Sequence, residues 1–402
     1  MHPTERPWRW SWIILLSGGV VVGFGSLFYA FSVLLTGEAA GGDFSTTVLS
    51  VGYGGTVLVG GGLAYPIGRV AERVGVAPIV VTGAGVGAVG LLAFAAAREP
   101  WQVLAASWLL IGPAGGMTFY EPAFAAVDQW FSPEHRPRSL AVLTVIGGLA
   151  GVIFIPATGA LVEHLGWRPA ARVLAAGMAL TGAVQVATLP RVRPIAPGER
   201  PVSIPLRRLL GDRRLVPFTL GLLITFGSFQ AVFFHRIAVF EQAGFALGTV
   251  AAWAALSSLL SVPGRWAGPY LGRRVGALRL NALLLVLLGA TVAPMALRPE
   301  GWGMPVHFTT FGIVFGALLP LRALVMAGWY TGPGYATVMG AQWSLTALAG
   351  AAGPMVAGVF QDLTGGYRGP MLVVAGSLAV AALLTAAAVP RRRRQGSGGR
   401  RW

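Results

Sequence analysis

Five ionisable side chains stand inside stretches otherwise fit for lipid: Glu121, His235, Arg236, Arg265 and Arg322. A charge at the middle of a bilayer helix costs about 2.5–3.5 kcal/mol on the insertion scale. Such residues therefore face a cavity or a partner. A guanidinium is a planar fork that can pair both oxygens of a carboxylate. A carboxyl or an imidazole can take up and release a proton. Glu121 and Arg322 sit at similar depths in their own segments. They read either as a buried structural ion pair or as a gate whose acid loses its arginine and takes a proton; breaking such a pair from one side is costly. His235 reads either as a proton relay or as a hydrogen-bonded residue near a helix end. Arg236 is expected to snorkel outward, and His307 to lie at the membrane interface. The pattern holds no catalytic group, since no His, Asp and Ser recur together at helical spacing. The five histidines are scattered and cysteine is absent, so no metal-ligand spacing exists. Without a single lysine a Walker-type phosphate loop is excluded. No cofactor is expected.

The elements that carry these residues follow from composition. The chain has 402 residues, of which 55% are hydrophobic and 11% charged. Soluble domains carry about 25% charged residues. A soluble enzyme and a nucleic-acid-binding domain are therefore excluded, despite a net charge of +16. Apolar runs of bilayer-crossing length fall at 11–35, 46–67, 78–97, 101–127, 139–162 and 169–190. A second set falls at 216–239, 246–272, 280–297, 304–330, 336–360 and 369–389. The run at 246–272 fits least well, because it holds Pro263, Arg265 and Pro269. The chain is thus expected to be an all-α polytopic membrane protein of twelve transmembrane helices in two six-helix bundles. The bundles cover residues 1–190 and 216–390. A proline- and arginine-rich linker at 191–215 separates them, and a basic tail follows at 391–402. Both basic segments suit either water or anionic lipid headgroups.

Arginine sets the orientation. With the N-terminus cytoplasmic, 22 of the 30 arginines fall on that side and four in the outer loops. Both termini are expected in the cytoplasm, with the chain in the plasma (inner) membrane. The halves also look like repeats. Gly159 and Gly358, Glu163 and Asp362, Pro122 and Pro320, and Arg73-x-Gly75 and Arg274-x-Gly276 all stand roughly 200 residues apart, as parallel repeats require.

Between the second and third runs stands Gly68-Arg69-Val70-Ala71-Glu72-Arg73-Val74-Gly75. It resembles the G-x3-D/E-R-x-G cytoplasmic-loop motif of the major facilitator superfamily. Trp130-Phe131-x4-Arg136, Gly147-Gly148-x2-Gly151, Pro156 and Gly166-Trp167-Arg168 resemble the branch of monocarboxylate-transporter-like and oxalate/formate-antiporter-like proteins. Phe234-His235, Gly244-Phe245, Gly353-Pro354, Gly358, Asp362 and Gly365 continue that resemblance. Tyr120-Glu121-Pro122-Ala123-Phe124-Ala125 looks like a bacterial subgroup.

The resemblance implies a secondary active transporter, not an enzyme, with the major facilitator fold. Its cargo would be a small organic anion of the monocarboxylate kind, moved by proton-linked alternating access. A proton-coupled exporter of drugs or amphipathic metabolites is the alternative, and a non-transporting membrane protein the third reading. The branch resembles G-R-x3-G-x3-D-R-x-G at Gly264-Arg265-x3-Pro269-x3-Arg273-Arg274-x-Gly276, and its arginine binds the carboxylate. That role passes to Arg265; an arginine snorkelling to headgroups is the other reading of it. Arg322 and Tyr120 are the further substrate-side candidates. Glu121 and His235 are the candidates for proton coupling or gating. Implied partners are the organic anion, protons and membrane lipids, with no nucleic acid and no obligate protein partner. Tags placed after Arg6 and within 194–205 should be protected from protease added outside intact cells, while a tag near Glu163 should be cleaved; cleavage at 194–205 would overturn the orientation.

Overall fold

A computed structural model describes residues 10–34, 43–132, 134–190, 211–329 and 333–389. Most of the linker and all of the basic tail lie outside the described residues. Twelve helices are long and apolar enough to cross a membrane. In chain order they are α1 (Trp10–Leu34), α2 (Thr46–Val74), α3 (Val76–Ala96), α4 (Pro100–Val127), α5 (Arg138–Leu165) and α6 (Trp167–Thr188). The second half holds α7 (Leu215–Gln242), α8 (Leu247–Val275), α9 (Ala277–Leu297), α10 (Gly303–Trp329), α11 (Pro333–Thr364) and α12 (Arg368–Ala387). A helix satisfies its own backbone, which is why helices alone serve an open apolar chain in lipid. Alternating spans bring Trp10, Thr188, Leu215 and Ala387 to one end of the bundle, here termed the terminal face.

One expectation about a doubtful segment is borne out and another needs correction. The least secure run, with its two prolines, forms α8 as one continuous helix of 29 residues. The fourth run, expected to be unbroken, is interrupted. Its helix stops at Thr118, Phe119 is extended (φ −80°, ψ −160°), and a new helical piece runs Tyr120–Trp130. Pro122 is the cause: its ring would collide with the carbonyl four residues back, that of Thr118, and it supplies no N–H. The break sets Tyr120 and Glu121 in the first turn of a fresh helix, where an acid is favoured by the unpaired N–H groups.

The repeat is visible at the turns. Gly75 ends α2 with φ +88° and Gly276 ends α8 with φ +96°. Both are left-handed positions that glycine adopts without a Cβ penalty. Gly68 to Val74 is helical, so only the last glycine of the cytoplasmic-loop motif makes the turn; Arg73 is exposed, and the Glu72 side chain lies outside the described residues.

Glycine also sets how closely helices pack. In α8 and α10 the backbones meet: the Ser257 and Ser261 carbonyls occupy the positions where Cβ atoms on Gly312 and Gly316 would stand, and Ala317 lies 2.9 Å from such an atom on Gly268. The matching pair in the first half is α2 with α4, where Gly116 and Gly60 meet in the same way. Small residues allow this approach, and close packing is what holds helices together in lipid. Gly316→Ala should therefore force α8 from α10 and cost about 1–3 kcal/mol, read as a lower Tm of the purified protein. Gly177→Ala, which meets open space, should leave the Tm unchanged; equal Tm values for the two variants would refute the packing account.

Candidate functional site

The two halves touch along α2 with α11 and α5 with α8. Their described contacts gather away from the terminal face. Thr47 N donates to Asp362 Oδ2 at 2.8 Å. A Cβ on Gly248 would lie 3.0 Å from Glu163, and one on Gly159 would lie 3.0 Å from Ala251. Deeper in, Tyr53 stacks on Phe234 at 4.6 Å and Phe28 on Phe233 at 5.1 Å. Toward the terminal face, Gly62 and Gly68 of α2 meet nothing within 4 Å. The far end is closed, and beyond Gly61, which meets Ala347 of the other half, the described glycines of α2 show no contact with the second half.

His235 joins this closure. It is 1% exposed. Its Nε2 lies 3.1 Å from the Pro354 carbonyl and 3.5 Å from Ser50 Oγ, and its Nδ1 lies 3.3 Å from the Tyr367 hydroxyl. A carbonyl only accepts, so in a neutral ring Nε2 carries the hydrogen and Nδ1 accepts from Tyr367. Tyr367 lies in the turn before α12, outside the spans. Burial pushes its phenol well above the ordinary range, so it keeps the proton it donates. The histidine thus ties α7 to α11, α12 and, through Ser50, to α2 of the other half.

Arg265 is half-buried beside the same seam but nearer the terminal face. A Cβ on Gly148 of α5 would lie 3.7 Å from its Nη1. It also interacts with the Tyr120 hydroxyl of α4 and reaches Tyr29 of α1 electrostatically. Tyr120 packs its hydroxyl against Gly147, so bulk at that glycine would displace it. Phe24 stacks on Phe119 at 3.9 Å and leans on Tyr120 at 5.0 Å. The result is a cation from one half set against an aromatic wall of the other. Among the described residues no carboxylate pairs with Arg265. A charge so placed can bind an anion that arrives from the open side.

Other expectations are not met in this conformation. Glu121 and Arg322 do not form an ion pair. Glu121 is exposed. Arg322 is 3% exposed and turned into its own half: its Nε donates to Gln342 Oε1 at 3.4 Å, and Gln342 Nε2 donates to Thr219 Oγ1 at 2.8 Å. With Asn281, Thr225 and Phe315 it lines a cavity of about 30 Å³ between α7, α9 and α10. Helix rotation aims the side chain there, and similar depth does not decide that angle. His307 is not interfacial; it is fully buried between Phe240, Phe308 and Phe311. Arg236 does not snorkel; it is 2% exposed, enclosed by aromatic rings. The motif residue Arg168 braces the far end of the first half. It reaches Asp43 at 3.0 Å and the carbonyls of Ala95 and Ala97 at 3.0 and 2.6 Å.

His235→Phe would remove the ring's contacts to the Pro354 carbonyl, the Tyr367 hydroxyl and Ser50, the loss of a net hydrogen bond costing about 0.5–1.5 kcal/mol each. The far end should then open more readily. A cysteine introduced at Ser50 should react faster with an external, membrane-impermeant thiol reagent in the His235→Phe background; an unchanged rate would show that the histidine does not hold the closure.

The sequence matches the Major Facilitator Superfamily over residues 13–317. It is 26% identical to monocarboxylate transporter 13 of Bos taurus over 391 residues, covering 92% of this chain and 87% of that one. It is 30% identical to the multidrug resistance protein MdtH of Klebsiella pneumoniae over 203 residues, half of this chain and 49% of the other. Among solved structures it is similar to a bacterial homologue of the human lysosomal transporter Spinster in an inward-facing, occupied conformation. That likeness has a TM-score of 0.78 at 14% identity and covers 96% of this chain and 97% of that one. A family match over residues 13–317, twelve spans in two repeated halves and a seam closed at one end agree with one another: the chain belongs to the major facilitator superfamily and is similar to its monocarboxylate-transporter-like members.

Proposed function

We propose that this protein is a secondary active transporter for a small organic anion of the monocarboxylate class, working by proton-linked alternating access between two bundles, residues 1–190 and 216–390. Arg265 is the carboxylate ligand. The observation that carries the reading is its placement: a guanidinium in the seam between halves, without a carboxylate partner among the described residues, facing Tyr120 and Gly148. The similarity to a protein named monocarboxylate transporter 13 supports the same cargo class. Tyr120 orients the bound group, and the aromatic wall of Phe24 and Phe119 takes its apolar part.

Coupling to protons falls to Glu121, on the helical turn that follows the break at Phe119. An acid there titrates without disturbing the closed far end. With the termini placed in the cytoplasm of a cell bounded by its inner membrane, the described conformation is open inward. His235 is the far-side gate. Arg322, held by Gln342, shapes the wall of the second half and reaches cargo only if α10 rotates.

One observation favours a second reading. The similarity to MdtH spans half of the chain, and aromatic walls also suit an amphipathic drug. The two readings separate in proteoliposomes. Counterflow of labelled lactate and benzoate should occur with the wild type. It should fall at least tenfold in Arg265→Gln and in Arg265→Lys, because a point charge cannot reproduce the bidentate fork. Glu121→Gln should retain counterflow at equal pH yet lose accumulation driven by a pH gradient. Wild-type counterflow by Arg265→Gln would remove the carboxylate role. Efflux of cationic dyes by the same vesicles, with no anion counterflow, would establish the exporter instead.

A further inference from the structure

Arg236 of α7 is a second charge that the Arg265 reading does not use. It is buried to within 2%. Its guanidinium carbon lies 4.8 Å from the ring centres of Phe233 and Phe311 and 5.1 Å from that of Phe308. Ring faces attract a cation, but they do not fill its in-plane donors. A guanidinium has five N–H groups. Among the described residues its Nε and Nη1 have no hydrogen-bond partner. The titratable groups whose charge reaches it are Tyr29, Tyr53 and His307, on α1, α2 and α10, and none is a carboxylate. A buried charge of this kind is costly unless something neutralises it.

Next to Arg236 is a cavity of about 20 Å³, bordered by Tyr29, Gly148, Ser257, Ser258 and Ser261. That volume holds roughly one water-sized atom. The Ser258 and Ser261 hydroxyls already donate to the carbonyls of Ala254 and Ser258, at 3.1 and 2.7 Å. Among the described residues the Tyr29 and Ser257 hydroxyls make no hydrogen bond. The lining thus offers a fixed positive charge and two uncommitted O–H donors, with no acid to satisfy them. Donors come from both halves, Tyr29 from α1 and Ser257 and Arg236 from α8 and α7.

We propose that Arg236, Tyr29 and Ser257 form an anion-binding site for one singly charged group. A cavity for about one water-sized atom suits a halide ion; one oxygen of an organic acid's carboxylate, entering from the cavity mouth, presents the same compact negative charge to the donors. The Arg236 backbone lies deeper than that of Arg265: with a rise of 1.5 Å per residue, the two stand ~30 Å along α7 and ~15 Å along α8 from the terminal face. Tyr29 and Gly148 stand between the two guanidinium groups and are close to both, so an Arg265→Gln variant decides which of them holds the anion. An occupant of the Arg236 site bridges α1 to α7 and α8 and so steadies the closed far end. The inference holds even if Arg265 binds no cargo.

The test is thermal unfolding of the purified full-length protein in detergent, with sodium chloride or sodium acetate titrated against sodium methanesulfonate at constant ionic strength. The wild type and Arg265→Gln should both show a saturable rise in Tm. Arg236→Met should lose the rise. It should also melt higher than the wild type without either anion, because an unpaired buried charge has been replaced by an apolar chain of similar length. Should that variant fail to fold, Tyr29→Phe provides the same reading by removing one donor, with an expected increase of about tenfold in the half-saturating concentration. A rise with chloride alone assigns the site to a halide, and a rise with acetate assigns it to a carboxylate head. A wild type indifferent to both anions overturns the proposal. So does an Arg236→Met or Tyr29→Phe variant that keeps the wild-type dependence. Loss of the rise in Arg265→Gln alone would move the anion to Arg265.

Discussion

Lipid offers no hydrogen bonds, and every polar group carried into it must find a partner within the protein. The architecture follows from how this chain meets that demand. Backbone groups are satisfied within helices. Many buried hydroxyls are satisfied by their own helix, as Ser17 donates to the Ile13 carbonyl and Thr225 to that of Gly221. The larger polar side chains cannot be satisfied locally, so they are placed where helices from different parts of the chain meet. His235, Arg322, Arg265 and Arg236 are the four cases, and each finds a different solution.

Two of those solutions are closed networks and two are open. His235 has a carbonyl and a phenol, and Arg322 has Gln342. Such residues hold helices in register. Arg265 and Arg236 have aromatic rings and hydroxyls around them but, among the described residues, no carboxylate. A protein that keeps a cation in lipid without its counter-charge bears a standing cost. The cost is offset when an anion binds. Binding and conformational preference then become linked, since a ligand that contacts both halves favours the state in which those contacts exist.

Glycine sets the other boundary condition. Backbone-to-backbone approach at Gly312 and Gly316 fuses α8 to α10, and the matching approach at Gly60 and Gly116 binds α2 to α4. The interface between halves is also glycine-rich, where Gly54 meets the Ala351 carbonyl and Gly358 meets Ser50. Where glycine lies against the facing helix, the surface is smooth and can part and reform at modest cost, while the Tyr53–Phe234 and Phe28–Phe233 stacks add side-chain contact. Tight packing within halves and smooth packing between them suit rigid-body rocking.

Much of this was legible in the residues themselves. The number of spans, their alternation and the two-fold repeat are properties of local hydropathy and spacing, and bilayer thickness translates them directly into helices. Pro122 is the cause of the break in α4, but the apolar run conceals it from hydropathy, by which the run is expected to be unbroken. Depth along a helix was legible too, since it follows from residue count at 1.5 Å per residue. The direction of a side chain was not. A soluble helix betrays its buried face by alternating polar and apolar residues, whereas the helix that carries Arg236 and His235 is apolar all round. Nothing in its pattern says whether Arg236 points to headgroups or into rings, or whether Arg322 meets Glu121 or Gln342. Those angles are set by which helices pack against which, and only the tertiary structure decides that.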